Sequence, residues 1–390
     1  MLKVLHVGKF YPPVPGGIER VVESLCQATR GRLDSRVLAF NTTARTAHDV
    51  VDGIPVTRVG RWGTAGSVAV APSLAAHIRR ARADVMILHE PNPWALLSFA
   101  IARPRVPLAI WFHSEVVRPQ LQYDLFYSPI ARPAYGSARR FVVSSPDLAE
   151  HSETLAQYRD RVTVIPFGID VDRWRPTDRV RRRAAEIREA STRPLVVFAG
   201  RHVAYKGVDV LIEAAAGLDV TVAILGDGPM RADWMALARR HSTPTFIFRG
   251  EVSDEELHAH LAAARMLVLP SVTRAETFGF VQLEAMACGV PVISTRLPTG
   301  VPWVNRTGLI VEPGDVAGLR GAIVRLAADP AAASAIGAAG AARARAEFSL
   351  AAMGDRLVEL CAEIASTAAP HTAGAEASPS NAVGKRLGAR

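Results

Sequence analysis

Cysteine is scarce in this chain, and long apolar runs are absent. The 390 residues include three cysteines, Cys26, Cys288 and Cys361, whose spacing fits neither a disulfide framework nor a zinc site. We therefore expect small buried side chains in a reducing compartment. The longest apolar candidate, Trp94 to Ala102, is about half as long as a membrane span. The chain opens like a strand, without the apolar core and cleavage site of a signal peptide, which predicts a cytoplasmic protein.

The remaining composition is that of a globular protein large enough for two domains, with 49% hydrophobic and 21% charged residues. Short aliphatic runs alternate with amphipathic stretches, which is typical of parallel sheets covered by helices. Two series of strands are predicted, with a seam near Pro166–Asp170. The first series is Lys3–Val7, Ser35–Phe40, Val56–Arg58, Val85–His89, Leu108–Phe112, Arg140–Ser144 and Val162–Ile165. The second is Leu195–Ala199, Val220–Leu225, Thr245–Arg249, Met266–Leu269, Pro291–Ser294 and Gly308–Val311.

The most informative passage is 270–295, which reads as loop, helix and strand after an apolar strand. Glu276 lies in the loop and Glu284 on the helix, and the turn Thr277-Phe278-Gly279 lies between them. A helix N-terminus behind a glycine turn offers free backbone N–H groups to a phosphate. The flanking carboxylates can accept hydrogen bonds from sugar hydroxyls. The passage therefore predicts a nucleotide sugar as ligand.

This passage resembles the retaining glycosyltransferases of family 4, which have the α/β GT-B fold of two Rossmann-like domains with parallel sheets facing across a cleft. The family carries E-x7-E followed by A-M-A-x-G-x-P-V, and this chain has Glu276, Glu284 and then A-M-A-C-G-V-P-V. The resemblance implies that Glu284 holds the ribose hydroxyls and that Glu276, a catalytic candidate, holds those of the donor sugar. It also implies that N–H groups near Phe278 and Gly279 bind the diphosphate.

Two further loops resemble the family. Arg201 and Lys206 lie in a G-R-x4-K-G motif, and such a pair can converge on one anion, although charged loop residues are often simply solvated. In the family this pair neutralises the departing diphosphate. Gly16 and Gly17 follow the first strand, where the family's glycine pair lets backbone N–H groups approach the donor. Fixed charge of this kind would make a metal unnecessary, and no D-x-D arrangement is present, so we expect no metal cofactor.

Polar residues at two strand ends are candidates for the opposite wall of the cleft, since open α/β sheets bind ligands at the carboxyl ends of their strands. The family has a histidine that contacts the donor sugar near its reacting carbon, which makes His113 a catalytic candidate. Glu90 is a candidate acceptor contact. Ser114 stands where family members often have Asp, and Phe167 replaces the Asn of the hinge motif P-N-G-x-D. We expect Phe167 to alter local hydrogen bonds and to leave the chemistry unchanged.

The resemblance also predicts the domain boundaries. Residues 1–168 would bind the acceptor and residues 169–347 the nucleotide sugar. A helix within 348–365 would cross back to the first domain. The last segment, 366–390, is rich in Ala, Ser, Gly and Pro, and this composition predicts a disordered tail.

Positive charge is concentrated in the first half of the chain. Residues 54–140 contain eleven arginines and four acidic residues, within a total net charge of +9. Two interpretations of this excess stay open. The arginines are ordinary surface charge, or they attract the protein to an anionic membrane, with about 1 kcal/mol for each basic residue close to it. No recognised module accompanies the arginines, which argues against nucleic acid as a partner. Two groups stand out, Arg79, Arg80 and Arg82 on a predicted helix and the pair Arg139-Arg140.

Segments 113–118 and 299–305 resemble mannosyltransferases of bacterial O-antigen and exopolysaccharide assembly. The expected function is therefore transfer of mannose from GDP-mannose to a lipid-linked saccharide, with the inner face of the cytoplasmic membrane as a partner surface. A UDP-sugar-dependent transferase is the alternative. Two other classes stay open. A sugar-nucleotide epimerase would isomerise the donor without an acceptor, and a non-catalytic sensor would bind the donor without turnover.

Overall fold

The computed structural model describes residues 1–65, 68–115 and 127–366, and two main sheets organise them. The strands of the first half are β1 (Leu2–Val7), β2 (Leu33–Phe40), β3 (Ala47–Val51), β4 (Ile54–Val59), β5 (Gly63–Ala65), β6 (Val68–Val70), β7 (Val85–Glu90), β8 (Leu108–Phe112), β9 (Ala138–Val143) and β10 (Val162–Val164). Eight of them form one sheet in the order β10-β9-β8-β7-β1-β2-β4-β3, and β5 pairs separately with β6.

The second sheet follows the order β13-β12-β11-β14-β15-β16, and all of its pairs are parallel. Its strands are β11 (Leu195–Ala199), β12 (Thr221–Leu225), β13 (Thr245–Gly250), β14 (Met266–Leu269), β15 (Val292–Thr295) and β16 (Leu309–Val311). The central strands β11, β12 and β14 are almost entirely apolar and fully buried, as is typical of a parallel sheet whose two faces are covered by helices.

The helices of the first half are α1 (Gly17–Ala28), α2 (Leu74–Arg80), α3 (Pro93–Ala102), α4 (Ser128–Ser137) and α5 (Pro146–His151). Those of the second half are α6 (Asp178–Glu189), α7 (Val208–Ala215), α8 (Arg231–Ala238), α9 (Asp254–Ala263), α10 (Phe280–Ala287), α11 (Gly300–Val304), α12 (Val316–Ala328), α13 (Pro330–Glu347) and α14 (Leu350–Ser366). Short 3-10 helices span Ala156–Arg161 and Ala204–Lys206. Strand and helix alternate, so the predicted α/β class is confirmed.

One edge of the first sheet carries an antiparallel strand that was not predicted from the sequence. β3 runs antiparallel to β4 and joins it through Asp52 and Gly53, whose φ angles are 49° and 79°. An Asp-Gly pair is a strong hairpin signal because both positions of a type I′ turn need positive φ. β3 is mostly exposed, so it lacked the aliphatic run by which the other strands were identified.

The chain crosses between the two halves twice, at neighbouring points. The N–H of Ile169 donates to Phe348 O at 2.8 Å, and the N–H of Leu350 donates to Ile169 O at 3.0 Å. After this contact α14 packs against α1, β1 and β7 of the first sheet. A second contact between the halves joins α11 to α5. These connections place the carboxyl ends of the two sheets opposite each other. The predicted disordered tail lies, apart from Ser366, outside the described residues.

The three cysteines do not form disulfide bonds. All of them are free; Cys26 and Cys361 are buried, and Cys288 is partly buried. In the described ranges no single helix is long and apolar enough to cross a membrane, although α12 and α13 pass that test together with a 102° bend between them. The same ranges hold no cluster of three or more His, Cys, Asp or Glu side chains suited to a metal ion.

Candidate active site

A cleft of about 1070 Å³ opens between the carboxyl ends of the two sheets. Its walls come from the loops after β1, β8, β11 and β14 and from the first turns of α1 and α10. All the site residues predicted from the sequence line it, with the exception of Glu90. They are Gly16, Gly17, His113, Arg201, Lys206, Glu276, Phe278, Gly279 and Glu284. Residues from both halves of the chain therefore meet in one place.

Lys206 and Glu276 form a buried ion pair in this cleft. Lys206 Nζ lies 2.5 Å from Glu276 Oε2, and the Ser271 hydroxyl donates to the same oxygen at 3.1 Å. The two charged side chains are only 11% and 9% exposed. The N–H of Val272 also donates to Tyr205 O at 2.8 Å, which ties the loop after β14 to the loop after β11. The two sequence motifs thus present one coupled pair of charges to a ligand.

The N-terminus of α10 reaches the cleft because Gly279 turns the chain there. Gly279 has a φ of 74°, and a Cβ atom at this position would lie 2.6 Å from Leu269 Cδ2. The Gln282 amide donates to Phe278 O at 2.9 Å and holds the turn. The first N–H groups of a helix have no partner within the helix. A phosphate at this point would meet free donors and the positive end of the helix dipole.

Glu284, on α10, is paired across the cleft. Arg20, on α1, donates to Glu284 Oε1 at 3.1 Å, and its guanidinium lies 5.7 Å from the centre of the Phe280 ring. Burial raises the pKa of Glu284, and the charge of Arg20 opposes that shift. Arg20 was not identified from the sequence, although its place just after the glycine pair was a usable signal. Since the Arg20 side chain is 50% exposed, ligand hydroxyls can replace it at the carboxylate.

Two arginines extend the positive charge of the cleft. Arg201 and Arg274 both line the wall and are exposed. Within the described part of the chain, neither forms an ion pair with a carboxylate. Guanidinium groups match phosphate oxygens with two parallel hydrogen bonds. Arg274 was not identified from the sequence, although it lies two positions before Glu276. The pair can therefore bind an anionic group next to Lys206.

The glycine pair lies in the loop between β1 and α1, at the start of the helix. Gly16 precedes the helix, and a Cβ atom there would lie 2.0 Å from Glu19 Oε2. Glu19 is buried and folds back over this turn. Gly17 has open space around its Cα atom. A side chain at position 16 would therefore have to displace the Glu19 carboxylate, whereas position 17 leaves the backbone accessible from the cleft.

His113 lies under a layer of aromatic rings. Its ring stacks on Phe167 with centroids 5.6 Å apart, and Phe167 in turn contacts Phe278 at 4.9 Å and Phe280 at 5.4 Å. Burial lowers the pKa of His113 to about 3, so the imidazole is neutral. From the sequence, Phe167 was expected to alter only local hydrogen bonds. In the structure its ring lines the cleft and joins the aromatic groups of the two halves.

Glu90 lies apart from the other candidates. It ends β7 with 1% of its surface exposed, and its carboxyl group accepts hydrogen bonds from the Tyr127 hydroxyl and from the N–H of Asn92. Burial raises the pKa of Glu90 to about 8, against weaker opposing effects of these two bonds. The role of Glu90 as a contact for the acceptor stays a prediction. Its burial away from the cleft does not support that role. Its contacts indicate that it anchors the start of α4.

The arginine groups of the first half have different environments. Arg80 and Arg82 are exposed at the end of α2, and Arg79 is exposed while donating to Ile101 O at 3.3 Å. Arg140 instead forms an ion pair with Glu363 of α14, and Arg139 donates to a carbonyl of the same helix. The second pair therefore fastens α14 to the first sheet. Only the α2 group remains as a candidate for electrostatic contact with another surface.

The comparisons with known proteins agree with this architecture. Residues 15–173 match the family described as Glycosyltransferase Family 4, and residues 193–329 match Glycosyl transferases group 1. The chain is 31% identical over 330 residues to the D-rhamnosyltransferase WbpZ of Pseudomonas aeruginosa, an alignment that covers 83% of this chain and 86% of the relative.

A second relative is the GDP-mannose-dependent monoacylated alpha-(1-6)-phosphatidylinositol monomannoside mannosyltransferase of Corynebacterium glutamicum. It is 28% identical over 381 residues, which cover 92% of this chain and 97% of the relative. Among solved structures, sucrose-phosphate synthase from Thermosynechococcus elongatus superposes with a TM-score of 0.74 at 21% identity. That superposition covers 94% of this chain and 100% of the other and shows a shared fold.

The two matching segments contain all the motifs that line the cleft, from the glycine pair to Glu284. The expected GT-B architecture, two α/β domains facing across a cleft, is confirmed. The chain therefore belongs to glycosyltransferase family 4, the group 1 glycosyltransferases, and is a glycosyltransferase of the GT-B fold.

Proposed function

We propose that this glycosyltransferase moves mannose from GDP-mannose to a lipid-diphosphate-linked saccharide, with retention at the anomeric carbon, during assembly of a bacterial cell-surface polysaccharide. The observation that carries the proposal is the cleft in which basic side chains and the N-terminus of α10 lie next to the carboxylates of Glu276 and Glu284. The relative from C. glutamicum supports the donor and a lipid acceptor through its name.

In this proposal the second domain grips the donor. Arg201, Lys206 and the N–H groups at Gly279 bind the diphosphate, Glu284 holds the ribose hydroxyls, and Glu276 holds hydroxyls of the sugar. The anomeric carbon–oxygen bond to the phosphate breaks as the acceptor oxygen bonds to the same face of the sugar. The acceptor's proton passes to a phosphate oxygen of the leaving group. His113 steadies the sugar from the first domain.

The positive groups of the cleft support a reaction without a metal cofactor. Negative charge grows on the diphosphate as the bond breaks, and preorganised cations stabilise such charge most effectively in a water-poor site. The residues assigned to that task are Arg201 and Lys206, and the N-terminus of α10 adds its dipole. We propose that this fixed charge replaces a metal ion.

The enzyme is proposed to act in the cytoplasm at the inner face of the membrane, where a lipid-linked acceptor is anchored. The exposed arginines at the end of α2 support this location, because basic side chains are attracted to anionic lipid.

The first experiment is thermal unfolding of the purified protein with a panel of nucleotides and nucleotide sugars, followed by transfer assays with a lipid-diphosphate saccharide. Selective protection by GDP and GDP-mannose, absent in Glu284→Ala, supports the donor. NMR of the product's anomeric proton reports retention, and undiminished transfer in excess EDTA supports the absence of a metal cofactor.

The donor, the acceptor with its membrane location, and the stereochemistry each have an outcome that contradicts the proposal. Turnover with UDP-sugars alone would overturn the donor and keep the enzyme class. Full activity on free soluble sugars, without binding to liposomes, would overturn the lipid acceptor and the membrane location. An inverted product would refute same-face attack.

A further inference from the structure

Three histidines form a hydrogen-bonded row behind the cleft. His6 lies on β1 and His89 on β7, and His113 directly follows β8, so the row crosses three adjacent strands. His113 Nε2 is 3.0 Å from His89 Nδ1, and His89 Nε2 is 3.1 Å from His6 Nδ1. The rings are nearly parallel, with interplanar angles of 27° and 23°. The row ends at His113, in the wall of the cleft.

All three imidazoles are neutral because they are buried. His6, His89 and His113 are exposed by 0%, 1% and 5%. Burial lowers the pKa of His6 to about 4 and that of His113 to about 3, and it holds the pKa of His89 well below its usual value. A neutral imidazole has one nitrogen that donates and one that accepts.

The two shared hydrogen bonds couple the three tautomers. If His89 carries its proton on Nδ1, it donates to Nε2 of His113 and accepts from Nδ1 of His6, so all three rings are Nδ1–H. If His89 carries its proton on Nε2, all three rings must be Nε2–H. Any mixed arrangement places two protons or two lone pairs against each other. The row therefore has two states.

The far end of the row favours one of them. His6 Nε2 is buried and has no hydrogen-bond partner among the described residues. In the Nε2–H state this atom would be a buried N–H group without an acceptor, whereas the Nδ1–H state leaves only a lone pair there. Orphaned N–H groups are rarer in proteins than unsatisfied acceptors. The Nδ1–H state is therefore preferred.

We propose that His6 and His89 are positioning residues that hold His113 in its Nδ1–H tautomer, so that the cleft presents a fixed neutral hydrogen-bond donor to an oxygen of the donor substrate. The substrate named here rests on the proposed function. His89 occupies Nε2 of His113, which leaves Nδ1 for the ligand. In this state His113 has no free lone pair on its ring, so it does not accept the acceptor's proton.

The tautomers can be measured without any substrate. Long-range ¹H–¹⁵N correlation spectra of protein labelled with ¹⁵N-histidine separate protonated from unprotonated ring nitrogens. Each of the three rings is assigned by the loss of its signals in a single His→Asn variant. We expect Nδ1–H and bare Nε2 in all three at neutral pH. An Nε2–H ring or an imidazolium among the three would overturn the proposal.

Kinetics test whether the row serves the reaction. The side-chain amide of Asn can donate from about the position of Nδ1, and that of Gln from about the position of Nε2. His113→Asn should therefore retain several-fold more kcat/KM than His113→Gln. His6→Leu removes the terminal donor and should lower kcat/KM by about 3- to 10-fold, the size expected for one neutral hydrogen bond. His6→Asn should restore most of that loss.

The control is His258→Asn, which removes another buried imidazole and should change neither the His113 spectrum nor kcat/KM. Equal activity of His113→Asn and His113→Gln, or no loss in a folded His6→Leu, would refute a positioning role. Transfer activity without the Nδ1–H pattern would overturn this inference alone. The pattern without turnover of any nucleotide sugar would overturn the proposed function alone.

Discussion

At the scale of single residues, the cleft contains two carboxylates with different partners. Glu276 is held by Lys206 and Ser271, which belong to the same domain. Glu284 is held by Arg20 from the opposite domain. The first pair is buried on both sides, whereas Arg20 is half exposed. We therefore expect substitution of Glu276 to lower the stability of the fold, and substitution of Glu284 mainly to lower the affinity for the ligand.

Glu284→Gln should weaken binding of the donor's nucleotide diphosphate by at least about tenfold, because a hydrogen bond to a charged group contributes about 1.5–3 kcal/mol. Isothermal titration with the nucleotide that binds the wild-type protein measures the effect. The matched control is Glu255→Gln on α9, an ion-paired glutamate that does not line the cleft. Equal affinities of wild type and Glu284→Gln would contradict the assignment of Glu284 to the ribose.

Lys206→Met and Glu276→Gln should each lower the free energy of unfolding by about 3–5 kcal/mol, because each leaves a buried charge without its partner. The double variant should lose clearly less than the sum. Urea unfolding of the four proteins gives the coupling energy. The exposed pair Arg296–Glu312 is the control, and its coupling should stay below about 1 kcal/mol. Additive losses at Lys206 and Glu276 would disprove the coupling.

At the scale of secondary structure, strand ends and helix starts decide where the chemistry lies. The loops after β11 and β14 each carry one motif, and the adjacent parallel strands bring them together. Two features at this scale lead to predictions. One is the turn at the start of α10, and the other is the set of three strands that carry the histidine row.

Gly279→Ala should destabilise the protein more than Gly289→Ala and should also weaken nucleotide binding. Both glycines have φ near 74°, so both variants have the strain of a left-handed backbone, about 1–2 kcal/mol. Only at Gly279 would the new methyl group also meet Leu269 and Gln282, whereas Gly289 has open space. Thermal unfolding and titration with the nucleotide compare them. Equal effects would show that the turn at α10 is not sterically constrained.

The histidine row should make stability fall in acid. Below the usual pKa of 6.5 the unfolded chain binds protons on His6, His89 and His113, and the folded chain does not until its lowered pKa values are reached. Stability is therefore present above pH 6.5 and is lost as the pH falls, by up to about 1.4 kcal/mol per pH unit for each ring. Glu90 and Glu284 have raised pKa values and act in the opposite direction.

A difference between variants isolates this effect. The stability advantage of the wild type over His6→Asn should shrink as the pH falls from about 6.5 to about 4.5, because the variant has one fewer ring to protonate. Urea unfolding at several pH values measures the advantage. The carboxyl groups contribute equally to both proteins and cancel. A difference independent of pH would mean that His6 is not held neutral in the folded state.

At the scale of the whole molecule, charge is distributed unevenly between the domains. Arg79, Arg80 and Arg82 are exposed on the first domain. Arg139 and Arg140 instead bind residues of α14. If this domain meets a membrane, the α2 group is the part of the surface that attracts it. The second domain also has a helix with several exposed arginines, α6.

Replacing Arg79, Arg80 and Arg82 by Gln should reduce binding to anionic vesicles by at least about tenfold, since each basic residue near the surface contributes about 1 kcal/mol. Vesicle sedimentation at two salt concentrations measures the loss, which should be smaller at high salt. The control removes the same number of charges from α6 by replacing Arg179, Arg181 and Arg182, which are all exposed although the first two are ion-paired. Equal losses in both triple variants would show non-specific attraction and would refute a docking role for α2.

The sequence by itself determined the fold class and identified nine of the residues that line the cleft. Short apolar runs of three to six residues identified the buried parallel strands, because a strand covered on both faces has no polar alternation. Glu276, Glu284, Arg201 and Lys206 were found because their motifs are local, with fixed spacing inside one loop or one helix start. β3 was missed because an exposed edge strand leaves little hydrophobic pattern, although its Asp-Gly turn was readable.

Only the tertiary structure decided which residues face each other. Arg20 and Glu284 lie on different domains, and their contact depends on how the two sheets are placed. The row of His6, His89 and His113 depends on the strand order β8-β7-β1, which brings together residues from separate parts of the chain. Burial is likewise a property of the packed molecule. It keeps these rings neutral, and it separates Glu90 from the wall of the cleft. A sequence motif indicates the chemistry of its own segment, whereas contacts between side chains of distant segments depend on how the chain packs.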